Sequence, residues 1–339
     1  HYRLLELNGD SDRSDVARLA RHATAAGDRT AVEAIELNVK AAHQALQSYS
    51  FSLAEEHVRA AALCARRCKR HFDLERELMC VQLEMAHVTQ TQMVETAASA
   101  WAYTKDCGDG MFLLKVARCC YDAAKVTSGE ESSHLKRACA QLARRVANDP
   151  SSTTALRAEG LQFLGLGYSR SPDAVRYLRN AVDSLAEPMN DNERNLLARL
   201  LCSLADELVR QDGDLHAARE HYRRSLEIRL AAEARDDSGI ARVYGGLGRS
   251  EYFLKHFAVA SAWFAKDLEL ATSLGDQRSA AQLHTWLGCC SIHQGQCRAA
   301  CQSFLRSIEL CRFDGDRSHA SIGLAVAAHR ERDWGMFDK

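Results

Sequence analysis

Apolar positions recur along this chain every three to four residues and nowhere in sustained alternation, a period that predicts helices and no strands. The clearest stretch runs from Arg278 to Arg312. Ala300, Phe304, Ser307, Ile308 and Cys311 fall at i, i+4, i+7, i+8 and i+11, on one face of a helix. The helix before it carries a Leu287-Gly288 dyad, and Gln294-Gly295 breaks the two apart. A two-helix hairpin of this size cannot cover its own apolar stripe, so neighbours built to the same plan must cover it.

The rest of the chain supplies those neighbours. Ser11 to Ala26 predicts an entry helix with Val16, Leu19, Ala20 and Ala23 on one face, stopped at Gly27-Asp28. Helices follow through Ile35, Val39, Ala42 and Leu46, then through Leu53, Val58, Ala61 and Leu63, before the basic run Arg66, Arg67, Lys69 and Arg70, read as a C-terminal cap. Next come Leu74 to Val88, Gln92 to Asp106 closed by Gly108-Asp109, Met111 to Val126, and Glu131 to Ala147. Asn148-Asp149-Pro150-Ser151-Ser152 is the sharpest turn signal and divides the chain into a divergent helical-repeat region, 1–149, and a better-registered region, 150–339. Pairs are then expected at Leu156 to Gly167 with Asp173 to Leu185, Glu193 to Arg210 with His216 to Leu230, Ile240 to Leu254 with Phe257 to Leu274, and Arg278 to His293 with Cys297 to Arg312. An incomplete unit, Ile322 to Arg330, ends the chain.

The second helices of these pairs superpose. Ala218, Tyr222, Ser225 and Leu226 align with Ala260, Phe264, Asp267 and Leu268, and with Ala300, Phe304, Ser307 and Ile308; the alanines are 42 and 40 residues apart. Ala174, Leu178, Ala181 and Val182 form an earlier copy. In the first helices Leu247-Gly248 and Leu287-Gly288 are 40 apart, with Leu204-Ala205 as a looser counterpart, and Gly275-Asp276 and Gly315-Asp316 punctuate at the same period.

A Leu-Gly dyad, an alanine twelve residues on, an aromatic four further and then a small residue: this resembles the tetratricopeptide repeat over Asn195 to Arg312. The period of about 40 exceeds that family's usual 34 and is nearer to HEAT or armadillo units, and no proline closes the unit. The resemblance implies an all-α, right-handed solenoid of stacked antiparallel helix pairs. Upstream, Ala17-Arg18-Leu19-Ala20-Arg21-His22, Ala23 to Asp28, Leu53-Ala54-Glu55-Glu56-His57 and Leu74-Glu75-Arg76-Glu77-Leu78 are similar to the helical arm that follows the ATPase module in multidomain adenylate cyclases, kinase fusions and maltose-activator-type regulators. That similarity implies a sensory arm cut from a longer signalling protein, as does a first residue His1 in place of Met; a free-standing adaptor is the alternative.

Composition narrows the picture. Three prolines in 339 residues fit nearly continuous helix, and 46% apolar with 26% charged residues is a globular balance. A net charge of −1 argues against a general nucleic-acid or membrane-surface binder. The longest clean apolar run, Ala320 to Ala328, has nine residues, about half of what spans a bilayer. Thirteen cysteines, with no Cys-x-x-Cys, point to free thiols in a reducing, cytoplasmic setting.

Chemistry finds little support. No G-x-x-x-x-G-K-[ST] or His-Glu-x-x-His occurs. Gly165-Leu166-Gly167 and Gly245-Gly246-Leu247-Gly248 follow no strand, so they read as close helix packing and not as phosphate cradles. Cys289, His293, Cys297 and Cys301 stand four apart, but the break at Gln294-Gly295 splits them and Cys297 takes the repeat position of Phe257, so packing is the expected role; the same holds for Cys64 and Cys68. No enzyme activity, cofactor or metal is expected. The resemblance instead implies a groove lined by the first helices: Arg199, Cys202, Asp206, Val209 and Arg210, then Arg242, Gly245, Arg249, Tyr252 and Phe253, then Gln282, Thr285, Cys289, Ile292 and His293. Its four arginines suit an acidic peptide or protein tail, with a solvated charged face as the alternative. Arg219, Glu220, Arg223, Arg224 and Arg229 are assigned to solvent.

Overall fold

The computed structural model describes residues 13–26, 30–48, 50–66, 72–89, 91–105, 107–211, 213–233, 236–311 and 314–337. The stop at Gly27-Asp28 and most of the basic run from Arg67 to Arg70 lie outside them. The described residues form 16 helices and no strands. None of these helices is long and apolar enough to cross a membrane. One compact unit ends at Gly167 and a second begins at Tyr168.

The first unit holds α1 (Arg13–Ala25), α2 (Ala31–Gln47), α3 (Phe51–Ala65), α4 (Phe72–Thr89), α5 (Met93–Trp101), α6 (Gly110–Val126), α7 (Gly129–Asn148) and α8 (Thr154–Gly167). Each packs on the next, and α2, α4, α6 and α8 also touch in succession. That is the packing of helix hairpins whose first helices stack side by side. Ala34, Ile35, Ala42, Val58 and Ala61 fill one core, where small residues let the helices approach closely. A polar rung crosses it: the Asn38 amide donates to Ala34 O (2.7 Å) and Thr24 Oγ1 (2.9 Å), and its Oδ1 lies 2.8 Å from His57 Nδ1. Burial lowers the His57 pKa, with Arg21 adding to the effect.

Two boundaries differ from the pattern. The helix expected to reach Asp106 stops at Trp101, because Arg145 on α7 takes the carbonyls of Thr104 (2.7 Å) and Cys107 (2.9 Å), satisfying backbone groups outside any helix. Gly108-Asp109 begins a helix and does not end one: the Asp109 carboxylate accepts from the amides of Met111 and Phe112, as an N-cap. The turn after α7 is held by Asp149, which accepts from Ser151 N (2.9 Å) and Ser151 Oγ (2.8 Å). Beyond it α8 returns onto α7 so closely that a Cβ at Gly160 would stand 3.0 Å from the Ala143 carbonyl oxygen.

The second unit holds α9 (Pro172–Ser184), α10 (Asp191–Arg210), α11 (Leu215–Ala231), α12 (Asp237–Phe253), α13 (Phe257–Ser273), α14 (Gln277–His293), α15 (Cys297–Leu310) and α16 (Asp314–Phe337). Consecutive helices pack, and α10 touches α12 as α14 touches α16. Asp214, Asp236 and Asp276 cap α11, α12 and α14 by accepting from Ala217 N, Gly239 N and Ser279 N. The registered aromatics Tyr222, Phe264 and Phe304 are all fully buried, at 0% exposure, and each fits against a first helix only because glycine stands opposite. A Cβ at Gly248 would lie 2.4 Å from the Phe264 ring, and Cβ atoms at Gly288 and Gly323 would lie 2.7 and 2.4 Å from Phe304. The glycine dyads are therefore ring seats.

Two further expectations are corrected here. The incomplete unit expected over Ile322 to Arg330 is a single helix with wider bounds, 24 residues long; Ala320, Gly323 and Ala327 give it a small-residue face that covers Phe304. Gly315-Asp316 falls inside its first turn. Nor is the charged run on α11 all solvated. Arg229 is only 7% exposed and ion-pairs with Asp236, the cap of α12, while the one-fifth-exposed Arg219 reaches toward buried Glu251 at 3.7 Å. A long arginine stem can bury its methylenes and deliver its charge across a helix junction.

Candidate peptide groove

Arg242, Gly245, Arg249 and Tyr252 stand at i, i+3, i+7 and i+10 of α12, so they share a face. The sequence count also placed Asp206 of α10 on the groove surface. In the structure it is buried, at 7% exposure, and organises the arginines from beneath. Arg242 Nη2 donates to Asp206 Oδ2 at 2.7 Å and Arg249 Nη2 to Oδ1 at 2.9 Å. The Tyr222 hydroxyl donates to Oδ1 at 2.5 Å. Burial pushes this carboxyl up, but Arg242, Arg249 and Tyr222 together pull it below the usual aspartate range. Tyr222 is the one registered aromatic with a hydroxyl, and its phenol is pushed well up by burial and by Asp206.

The two guanidinium groups are not consumed by this pairing. The side chains of Arg242 and Arg249 remain 54% and 38% exposed while they hold Asp206. Arg210 is tied differently: it pairs with buried Glu207 and donates to Ser169 Oγ at 2.7 Å, in a cluster that also includes Gln211. Arg199 is half-buried on α10, and Gln282 is exposed on α14. Of the four arginines expected to converge on a ligand, Arg242 and Arg249 are brought together on Asp206, and Arg210 is held on Glu207.

Tyr252 and His293 do meet, the hydroxyl 3.1 Å from His293 Nε2. Around them is an aromatic cluster of which the sequence count named only Tyr252, Phe253 and His293. Phe257 stacks on His293 with centroids 4.2 Å apart, and Trp286 meets Tyr252 edge-on at 5.2 Å. Trp286 also stacks on Phe264 at 5.5 Å, linking the surface cluster to the core. Phe253 is 46% exposed. The aromatic spacing of Phe257 and Trp286 was visible in the chain, but nothing in it said that two helices would bring them together.

Asp267 on α13 was also missed as a site residue. It holds the repeat position of Ser225 and Ser307, whose hydroxyls donate to the carbonyls of Ala198 (2.7 Å) and Ala281 (2.8 Å). A carboxylate cannot donate that bond. Asp267 is 8% exposed, and its Oδ2 lies 2.6 Å from where a Cβ of Gly245 would be. Burial, opposed by Arg249 and aided by Asp276, raises its pKa to about 7.

The cysteine and histidine stripe is split by packing. Cys289 and Cys301 lie with Ile292 against the Phe304 cluster, while Cys290 belongs to the Phe264 cluster. Cys297 is buried at 7% exposure. Among the described residues no three His, Cys, Asp or Glu side chains are grouped as metal ligands.

No protein-family sequence model matches the chain, and no curated protein does. Solved structures do match. A Rap protein complexed with Competence and Sporulation Factor is 14% identical, with a TM-score of 0.57 over 85% of this chain and 78% of that one. RapI in its apo form is 13% identical, with a TM-score of 0.57 over 85% of this chain and 79% of that one. A signal-transduction ATPase with numerous domains from Pyrococcus horikoshii, which carries a tetratricopeptide-repeat sensor, is 10% identical, with a TM-score of 0.54 over 98% of this chain and 52% of that one. At these identities the likeness is one of fold. Helix hairpins, alanine and aromatic register, and these neighbours together give the chain the all-α fold of tetratricopeptide-type repeat proteins.

Proposed function

We propose that the chain is a non-catalytic protein-interaction module whose second unit holds an acidic peptide segment of a partner along α12 and α14. The observation that carries this reading is the pair of partly exposed arginine side chains, Arg242 and Arg249, fixed on one buried carboxylate beside the Tyr252 and His293 cluster. Holding each side chain on Asp206 removes its rotamer freedom before a ligand arrives, so less entropy is lost on binding. Aromatic surface next to paired arginines is the composition of interface hot spots.

A binding role also suits the fold, since the Rap protein is complexed with Competence and Sporulation Factor and the ATPase carries its tetratricopeptide repeats as a sensor. The likeness to the latter spans 98% of this chain and favours a sensory arm of a larger signalling protein over a free-standing adaptor. Reading the coding sequence upstream of His1 decides between them: an ATPase or cyclase module supports the arm, and a start codon close to His1 contradicts it.

The groove itself is tested by selecting a random-peptide display library on the protein. Wild type should enrich peptides carrying Asp or Glu. The variant D206N/R242Q/R249Q, which removes all three charges and keeps hydrogen-bonding groups in the network, should keep its helicity and lose that enrichment. Selection of the same peptides by both proteins would remove the arginines from the site.

A further inference from the structure

We propose that Asp267 is a specificity residue of this groove, receiving a lysine or arginine of the partner peptide next to the acidic side chain that meets Arg242. The inference rests on the groove reading above and sharpens it from an acidic segment to one of mixed charge.

Position 245 is on the groove face of α12, between Arg242 and Arg249, and has no side chain of its own. The Asp267 carboxylate fills the vacant volume from behind, its Oδ2 2.6 Å from the place of the missing Cβ. In effect α13 delivers a carboxylate through α12 to a groove-facing position. Any side chain at 245 would displace it.

That carboxylate belongs to a residue that is nine-tenths buried, and Arg249 is the cation that acts on it. A largely buried acid is costly, and native structures keep few of them without a reason. The chain holds the inexpensive solution at the same position of the neighbouring repeats, where Ser225 and Ser307 bond to the carbonyls of Ala198 and Ala281. Breaking a local rule that its own siblings obey is the pattern expected at a functional position.

Charge on the strip decides the ligand. Arg242 and Arg249 with Asp206 sum to one net positive charge, and ionised Asp267 adds one negative charge a turn away. A purely acidic peptide would meet repulsion at Asp267. An acidic residue beside a basic one satisfies both, and an ammonium or guanidinium on a carboxylate is among the stronger hydrogen-bonded pairs.

The experiment adds D267S and G245A to the library selection and measures melting in parallel. Wild type should enrich peptides with Lys or Arg close to Asp or Glu. D267S restores the sibling serine, so it should melt higher than wild type at pH 8, lose the Lys and Arg enrichment, keep the acidic enrichment, and bind a wild-type-selected peptide about tenfold more weakly or worse. G245A should lose the same basic enrichment by displacing the carboxylate. If D267S gains stability yet selects and binds the same mixed-charge peptides, Asp267 is only a packing defect and the inference fails while the groove stands. If wild type enriches nothing, the groove reading itself fails.

Discussion

Replacing Phe304 by Ala should destabilise the protein by about 3 to 5 kcal/mol, the range measured when a buried aromatic site is emptied. The ring is fully buried and is seated between Gly288 of α14 and Gly323 of α16. Neither seat can collapse easily, because both are helix backbone. The loss would also uncouple α16, whose Ala320 and Ala327 pack on the same cluster. Chemical denaturation of wild type and F304A provides the check. A difference under about 1 kcal/mol would mean that the aromatic register does not hold the repeats together.

Reversing charge at Arg242 and Arg249 together should unfold the second unit, at a cost of about 3 to 5 kcal/mol or more, the penalty for stripping the partner from a buried charge. Sequence counting treats both as surface residues, for which reversal would change binding and spare the fold. The structure makes them the counter-charges of Asp206, so R242E/R249E would press two new carboxylates against a buried one. Burial would then dominate and drive the Asp206 pKa upward in place of its present depression. Circular dichroism melting of R242E/R249E against D206N/R242Q/R249Q separates the two views: the first should melt far lower, and the neutral triple variant close to wild type. Equal melting temperatures would show that the Asp206 network is not structural.

Asp267 contributes with the opposite sign. Its folded pKa of about 7 stands above the ordinary 3.8, so its stabilising share is complete below about pH 4 and is lost as pH rises toward 7. The stability advantage of D267S over wild type should therefore grow between about pH 4 and pH 7 and level off above. A constant difference across that window would place the carboxyl in a wetter setting than the geometry gives it.

Much of the fold was legible because the repeat writes its packing into residue type. Alanine, aromatic and glycine recur at fixed distance since a ring needs a small seat, and Phe264 with Gly248 and Phe304 with Gly288 show why. The start of the last helix was misplaced because Gly315-Asp316 looks like a stop, whereas the helix runs through it from Asp314 and its small-residue face covers Phe304. The site was less legible for a different reason. Counting from a dyad gives the direction of a side chain but not its depth, so Asp206 was placed on the surface, and Arg229 on α11 was sent to solvent although it folds onto Asp236. Asp267 did leave a trace, as the acid aligned with Ser225 and Ser307; it faces a glycine on the preceding helix. Its meaning required knowing that its carboxyl oxygen fills the space of position 245.

The most direct test of the account is hydrogen exchange by mass spectrometry on the protein with and without a peptide chosen by wild-type selection. Protection concentrated in residues 237–253 and 277–293, and absent from D206N/R242Q/R249Q at the same peptide concentration, is the predicted result. Protection lying instead on α11 and α13, or persisting unchanged in the triple variant, would contradict a peptide groove on α12 and α14.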